Sequence, residues 1–195
     1  MENVAAMVPA ILALMASPGP VTLASAALGA AYPWTVALPR VVAMTAGTAT
    51  VIVLVATGVT GLVTAVPGVA PVLTALAGGY ILYLAWKIAT APPVGARTGD
   101  APLLVGAYLM AVGNPKAFAA MGALFSGYPL VADDPVQTAI VKAMGLPLVA
   151  LCINTIWMLG GSALRGMMSD PKVSRVINIC FSAALVISVA AMLLI

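Results

Sequence analysis

The sequence predicts an all-α membrane protein, with six transmembrane helices arranged as two inverted three-helix repeats. Three observations support this class of fold. The 195-residue chain is 63% hydrophobic and only 7% charged, with a mean hydropathy of +1.16. Six apolar runs are long enough to span a bilayer, which takes roughly 17–25 residues. Two of these runs, the first and the fourth, are interrupted by short motifs that contain proline.

This composition excludes a soluble globular domain, because soluble domains carry about 25% charged residues. The net charge is +3, but eight scattered Lys and Arg residues form no basic patch, so no nucleic-acid partner is expected. The chain has no histidine, the commonest metal ligand, and no cofactor or metal is expected. The two cysteines, Cys152 and Cys180, form no Cys-x-x-Cys pair, and we interpret them as small buried residues.

The apolar runs divide one membrane domain into two halves of three spans, about residues 1–95 and 96–195. The first run lacks the basic segment of a signal peptide, so we expect a retained helix. The second run is rich in Thr and Gly, which let membrane helices approach closely. The six runs cover about residues 4–28, 41–63, 71–88, 103–125, 136–161 and 176–195, and residues 32–40 and 165–175 are predicted connectors.

The charged residues predict the orientation in the membrane. With six spans, the connectors after spans 1, 3 and 5 hold every Lys and Arg that falls in a loop, and a five-span arrangement would blur this asymmetry. The positive-inside rule then places the basic side in the cytoplasm and both termini outside, with Trp34, Trp86 and Trp157 near the cytoplasmic interface. The basic side holds Arg40, Lys87, Arg97, Arg165, Lys172 and Arg175, and the opposite side holds Glu2, Asp133 and Asp134.

The proline motifs interrupt the first and fourth spans at matching positions. A shift of 97 residues brings Pro18 onto Pro115, and it brings the second and third spans near the fifth and sixth. Each half has three spans, so the second half must be inverted relative to the first. In transporters with inverted repeats, matching broken helices mark the substrate site near the middle of the membrane. The alternative is that the prolines only kink two helices for packing.

The residues at the two breaks are suited to binding a small polar solute. A proline frees a carbonyl group one turn earlier, and the restarted helix exposes N–H groups whose dipole suits an anion. Asn114 adds a side-chain amide, and Ser17 and Thr22 add hydroxyl groups. We therefore expect the two breaks to face each other across one site. The predicted substrate-binding residues are Ser17, Pro18, Gly19, Pro20, Thr22, Asn114, Pro115 and Lys116.

Lys116 is the residue that most strongly indicates a site. An ammonium group in hydrocarbon costs roughly 2.5–3.5 kcal/mol on insertion scales, and Lys116 lies too far from either end of its span to reach water along a straight helix. It could pair with a substrate carboxylate or contribute to gating, or it could cap carbonyl groups at the kink. Lys142, about seven residues into the fifth span, is expected to snorkel towards Asp133, Asp134 or the headgroups.

No Asp or Glu occurs within any predicted span. A site for metal ions or other cations would supply carboxylates or soft ligands. The lysine, the asparagine, the hydroxyl groups and the broken helix ends favour a small zwitterionic or anionic solute, although a cationic amino acid bound through its α-groups remains an alternative. No nucleophile–base set or redox pair indicates an enzyme. An exporter of ions or other small solutes, and a structural subunit of a membrane complex, also remain open.

Three motifs of this chain resemble the LysE/RhtB-type family of amino-acid exporters. They lie in the first, third and fourth spans, and their order, their spacing and the chain length agree with the family. The resemblance covers about residues 7–125, whereas the last two spans agree only in hydropathy. The motifs are Ser17-Pro18-Gly19-Pro20, Gly78-Gly79-Tyr80-Ile81-Leu82-Tyr83-Leu84-Ala85-Trp86-Lys87 and Gly113-Asn114-Pro115-Lys116-Ala117.

The resemblance implies a bacterial inner-membrane transporter that exports amino acids, driven by the proton gradient, with an inverted-repeat helical fold. Val21 stands after the Pro-Gly-Pro motif where the family often has Asn, and the first connector has only Arg40 where the family's connector is often strongly basic. These departures concern the substrate more than the fold. The sequence leaves open which amino acid is moved, which ion is coupled to it, and whether the unit is a monomer or a homodimer.

Overall fold

The chain folds into helices over the residues that the structure describes. The structure, a computed structural model, describes residues 2–58, 69–90, 103–131, 134–167 and 170–193. Eight helices and no strand occur within these ranges, which confirms the all-α class. They are α1 (Glu2–Met15), α2 (Pro20–Ala31), α3 (Trp34–Ala56), α4 (Val69–Ala89), α5 (Leu104–Val112), α6 (Pro115–Gly127), α7 (Pro135–Ala163) and α8 (Pro171–Leu193).

Two of the described helices, α3 and α7, are long and apolar enough to cross a bilayer. Helices α1 and α2, which meet at an angle of 66°, make a third candidate if they are counted as one broken span. The exposed faces of the bundle are strongly apolar, since Met144 on α7 is 72% exposed and Ile187 on α8 is 68% exposed. Exposed apolar surface of this kind is compatible with a transmembrane protein.

The two cysteines lie on these exposed faces. Cys152 on α7 and Cys180 on α8 are free thiols with exposed side chains, so the expectation that they are buried is wrong. A small sulfur-containing side chain is as compatible with a lipid-facing surface as with a core, because both surroundings are apolar. Of the residues that predicted the orientation, Arg97, Asp133 and the side chains of Glu2 and Lys87 lie outside the described part of the chain.

Both helix breaks lie where the proline motifs predict them. Helix α2 begins at Pro20 and α6 begins at Pro115, so each helix restarts with proline at its first position. Proline is favourable there, because its missing N–H would have no partner within the helix. The preceding residues, Gly19 and Asn114, have extended backbones and form the N-caps. Each motif therefore ends one helix and starts the next.

The helix of the second run is displaced from its predicted position. Helix α3 begins at Trp34, so most of the predicted connector over residues 32–40 is helical. Pro39 is tolerated inside the helix because it removes only one backbone hydrogen bond near the N-terminus. The helix ends at Ala56, and Gly58 follows with a φ of 70°, a conformation that favours glycine. The rest of that predicted run lies outside the described residues.

The last helix also starts earlier than predicted. Helix α8 begins at Pro171, so the end of the predicted connector over residues 165–175 is helical. The Asp170 carboxylate explains this start, because it accepts hydrogen bonds from the backbone N–H groups of Lys172, at 2.8 Å, and Val173, at 3.2 Å. An aspartate cap followed by proline is a favourable helix N-terminus.

Glycines set the closest helix contacts. Helix α2 packs most extensively against α7. A Cβ on Gly29 would overlap the carbonyl oxygen of Met158, and a Cβ on Gly161 would overlap that of Ala26. The backbones of α2 and α7 can therefore approach only because both positions lack a side chain. This contact holds the helix that follows the first break against the longest helix of the bundle.

Candidate functional site

Three consecutive backbone carbonyl groups between α1 and α2 accept hydrogen bonds from side chains of other helices. The indole N–H of Trp157 donates to the carbonyl oxygen of Ala16 at 3.1 Å. The ammonium nitrogen of Lys116 donates to the carbonyl oxygen of Ser17 at 2.7 Å and to that of Pro18 at 3.1 Å. Side chains from α6 and α7 thus supply hydrogen-bond donors to the carbonyl groups that the first break exposes.

The two breaks face each other, as the sequence analysis predicts. Lys116 is the second residue of α6 and so belongs to the second break. Its Nζ binds the carbonyl of Ser17 at the first break, 99 residues earlier in the chain. The prediction left open whether Lys116 caps carbonyl groups or contacts a solute. The cap is observed, and the capped carbonyl groups belong to the opposite break.

Gly19 provides the space that the Lys116 side chain occupies. A Cβ at this position would lie 2.8 Å from Nζ and 2.9 Å from Cδ of Lys116, closer than Cβ atoms approach other groups. The Gly19 N–H donates to Thr22 Oγ1 at 2.9 Å, and this hydroxyl donates back to the Gly19 carbonyl at 3.1 Å. Thr22 thus closes the first turn of α2 in the manner of a capping box.

The second break is closed by Asn114. Its Oδ1 accepts a hydrogen bond from the backbone N–H of Lys116 at 3.1 Å, which caps α6. The Asn114 side chain is buried, at 5% exposure. Its amide N–H₂ group makes no hydrogen bond to another described residue and remains available as a donor. The start of α6 therefore presents an amide and an ammonium group side by side.

A cavity of about 50 Å³ lies between the two breaks. Four of the eight predicted residues line it, namely Gly19, Thr22, Asn114 and Lys116. The other four, Ser17, Pro18, Pro20 and Pro115, shape the breaks without lining the cavity.

The cavity is too small for an amino acid in this conformation. A water molecule needs roughly 10–15 Å³ of such space, and typical small-molecule sites enclose about 300–1,000 Å³. The space beside Lys116 therefore suits a few water molecules.

Two polar residues of the cavity, Thr48 on α3 and Asn154 on α7, were not predicted as site residues. Thr48 is 8% exposed and Asn154 is 4% exposed. The Thr residues of α3 were interpreted as packing residues, and no role was predicted for Asn154. An asparagine inside an apolar run is costly in a membrane unless it has partners, and this cost was the available signal.

Trp157 supports the first break, a role that its predicted place in an interfacial belt did not suggest. Trp34 and Trp86 are 67% and 62% exposed, as a belt position requires. Trp157 is only partly exposed, and its indole N–H is bonded to the carbonyl of Ala16.

Lys142 does not snorkel, so that prediction is wrong. The side chain is 1% exposed, and its Nζ donates to the carbonyl oxygens of Leu124 at 2.7 Å and Phe125 at 3.2 Å. The Nζ also lies 5.3 Å from the centroid of the Phe125 ring. These contacts hold the ammonium because the C-terminal end of α6 attracts a cation. Asp134 instead caps α7, and Asp133 lies outside the described residues.

No protein-family model matches this chain, and neither does a curated protein or a solved structure. Among the residues that the structure describes, no group of three or more His, Cys, Asp or Glu side chains could hold a metal ion. The site instead combines a cation, two side-chain amides and two hydroxyl groups.

Proposed function

We propose that this protein is a secondary transporter that exports amino acids or related small zwitterionic metabolites across the bacterial inner membrane, driven by the proton gradient. The observation that carries the proposal is the position of Lys116, whose ammonium group extends from one broken helix to the other beside a cavity that five polar side chains help to line. Resemblance to the LysE/RhtB-type exporters supports the substrate class and the direction of transport.

The site is suited to a carboxylate. The Lys116 ammonium has three N–H donors, and two of them are directed at the carbonyl oxygens of Ser17 and Pro18. The third is available to a solute, and the free amide N–H₂ group of Asn114 lines the same cavity. Charge-assisted hydrogen bonds of this kind are about twice as strong as neutral ones. A solute carboxylate would therefore bind at the start of α6.

The proposed architecture has six spans in two inverted halves. Each half contains a broken helix, α1–α2 or α5–α6, followed by two further helices. The second helices of the two halves, α3 and α7, pack against each other, and so do the third helices, α4 and α8. Such contacts between equivalent elements are expected if a two-fold axis relates the halves. The proposed orientation has both termini outside.

Transport requires the two breaks to separate. The cavity of about 50 Å³ is small beside the roughly 300–1,000 Å³ of a typical small-molecule site. We therefore assign this conformation to a closed state of an alternating-access cycle. The bonds from Lys116 to the first break hold the closed state, and their rupture would widen the cavity on one side of the membrane.

Export from intact cells tests the proposal. Bacterial cells loaded with dipeptides release amino acids inside, and the extracellular amino acids are measured with and without the protein. We expect the protein to raise the external concentration of at least one amino acid, and Lys116→Met to abolish the increase. Unchanged external levels across a broad panel, with the protein present in the membrane, would overturn the proposal.

A further inference from the structure

We propose that Asn154 and Thr48 bind the ammonium group of the substrate, and that the substrate is a zwitterionic α-amino acid with a small, uncharged side chain. This inference rests on the proposed transport function and names the chemistry of the substrate. It concerns Asn154 on α7 and Thr48 on α3, which line the cavity but belong to neither of the two motifs that break the helices.

The orientation of the Asn154 amide follows from its neighbour Thr45. The Thr45 hydroxyl donates its hydrogen to the carbonyl oxygen of Val41 at 2.9 Å. Thr45 Oγ1 can therefore only accept from Asn154, and the Asn154 Nδ2 donates to it at 3.2 Å. The carbonyl end of the amide is thereby directed away from Thr45. Asn154 Oδ1 makes no hydrogen bond to another described residue, although the side chain is 4% exposed.

Thr48 is a second acceptor that lines the cavity. Its hydroxyl donates to the carbonyl oxygen of Met44 at 3.1 Å, so its hydrogen is already used. The lone pairs of Thr48 Oγ1 remain available, and this side chain lines the cavity with Asn154. Two acceptors without donors are suited to an ammonium group, which only donates hydrogen bonds.

Donors from one helix and acceptors from two others therefore line the cavity. Lys116 and Asn114 supply N–H groups from α6, whereas Asn154 supplies an oxygen acceptor from α7 and Thr48 supplies one from α3. When the breaks separate and the cavity admits a solute, a zwitterion satisfies the donors and the acceptors together, whereas a carboxylate without an ammonium group leaves the acceptors unpaired. Unpaired buried polar groups are costly, so the acceptors select against such a solute.

The rest of the lining limits the substrate side chain. Apart from Thr22, the other side chains that line the cavity are apolar, among them Ala117, Ala120, Ala150 and Ile153. No Asp or Glu is among the described residues that line the cavity, so a cationic side chain would find no counter-charge. A small apolar side chain, as in alanine or valine, matches this lining.

Competition in proteoliposomes tests the inference. The protein is reconstituted, uptake of labelled alanine is measured, and unlabelled alanine, propionate and ethylamine compete for it. Propionate lacks the ammonium group and ethylamine lacks the carboxylate. We expect alanine to compete at least about tenfold better than either analogue, which corresponds to one charged hydrogen bond.

The variants Asn154→Ala and Thr48→Val assign this preference to residues. We expect each to raise KM for alanine roughly 10-fold or more and to reduce the preference for alanine over propionate. Thr57→Val is the matched control, because Thr57 directly follows α3 and also donates to a carbonyl four residues earlier but does not line this cavity. It should leave both quantities unchanged. Unchanged KM and preference in a folded Asn154→Ala protein would overturn the inference.

Asn154→Asp provides a second variant of nearly equal size. It replaces the amide of Asn154 by a carboxylate that can pair with a cationic side chain, so we expect lysine to compete better against alanine than in the native protein. No change in this ratio would contradict the inference. If the native protein transports only amino acids with bulky or charged side chains, the inference fails and the proposed function stands. If it transports no amino acid, the proposed function itself fails.

Discussion

The ammonium nitrogen of Lys116 lies 2.7 Å from the carbonyl oxygen of Ser17, although 99 residues separate them in the chain. The bond joins the start of α6 to the segment between α1 and α2, and the same nitrogen also binds the carbonyl of Pro18 at 3.1 Å. One side chain therefore links both interruptions of the bundle. Removal of this side chain should therefore lower the stability of the fold and impair transport together.

Lys116→Met removes both bonds and should impair stability and transport. We expect the free energy of unfolding to fall by about 1–3 kcal/mol, because two carbonyl groups lose a charged donor. Thermal unfolding of the purified protein and export from cells measure the two effects. Lys172→Met is the control, because Lys172 is an exposed lysine at the start of α8. A Lys116→Met protein that exports at the full rate would exclude this lysine from the mechanism.

Gly19→Ala should displace Lys116 without removing its charge. The added methyl group would come within 2.9 Å of the Lys116 side chain, which is flexible enough to move aside. We expect transport to fall by about tenfold, equivalent to one lost hydrogen bond, while the helices still form. Export from cells measures the transport rate, and circular dichroism of the purified protein measures the helix content. Gly122→Ala is a suitable control, because nothing lies within 4 Å of the added atom; equal rates for the two variants would contradict the prediction.

Lys142→Met should separate stability from transport. Lys142 is bonded to the carbonyl groups of Leu124 and Phe125 and does not line the cavity. We expect the free energy of unfolding to fall by about 1–3 kcal/mol, because these carbonyl groups lose their donor. The KM for the substrate should stay within the error of the native value. A large change in KM with unchanged stability would show that Lys142 acts on the substrate instead.

Two adjacent glycines of α7 should respond in opposite ways to alanine. Gly161→Ala would place a Cβ against the Ala26 carbonyl, and overpacking of this kind costs about 1–3 kcal/mol. Gly160→Ala meets no atom within 4 Å and should be neutral or stabilising, by up to about 1 kcal/mol, from helix propensity. The melting temperatures of the two purified variants test this contrast. Equal melting temperatures would mean that α2 and α7 are not in close contact.

The proposed orientation predicts the location of the C-terminus. A reporter enzyme that is active only in the periplasm, fused after Ile195, should be active in six-span topology with both termini outside. A fusion in the connector between α7 and α8 should be inactive, because that connector is proposed to be cytoplasmic. The opposite pair of results, with normal insertion of both fusions, would reverse the orientation.

The helix breaks were predictable because their causes are local. A proline at the first position of a helix and a capping residue before it act within a few residues, so the sequence motifs at Pro20 and Pro115 indicate where α2 and α6 begin. The starts of α3 and α8 were predicted too late, because residues 32–40 and 165–175, which include Pro39 and Asp170, were assigned to connectors.

The partners of the charged and polar side chains were less predictable, because they depend on which helices meet. The sequence indicated that Lys116 is costly in a membrane, but the carbonyl groups that bind it lie on another helix. For Lys142, the distance along the helix favoured the surface, whereas the end of α6 supplies nearer acceptors. Asn154 lines the cavity because of how α7 packs against the other helices, and a local sequence pattern does not predict which helices pack together.

The first break also has a mechanical consequence. Helices α1 and α2 meet at an angle of 66°, and the ammonium of Lys116 and the indole of Trp157 bind the carbonyl groups between them. Lys116 belongs to α6 and Trp157 belongs to α7. A change in the angle between α1 and α2 would therefore disturb the contacts of this segment with α6 or α7. A displacement of α6 against α7 would therefore either break one of these contacts or change the angle between α1 and α2.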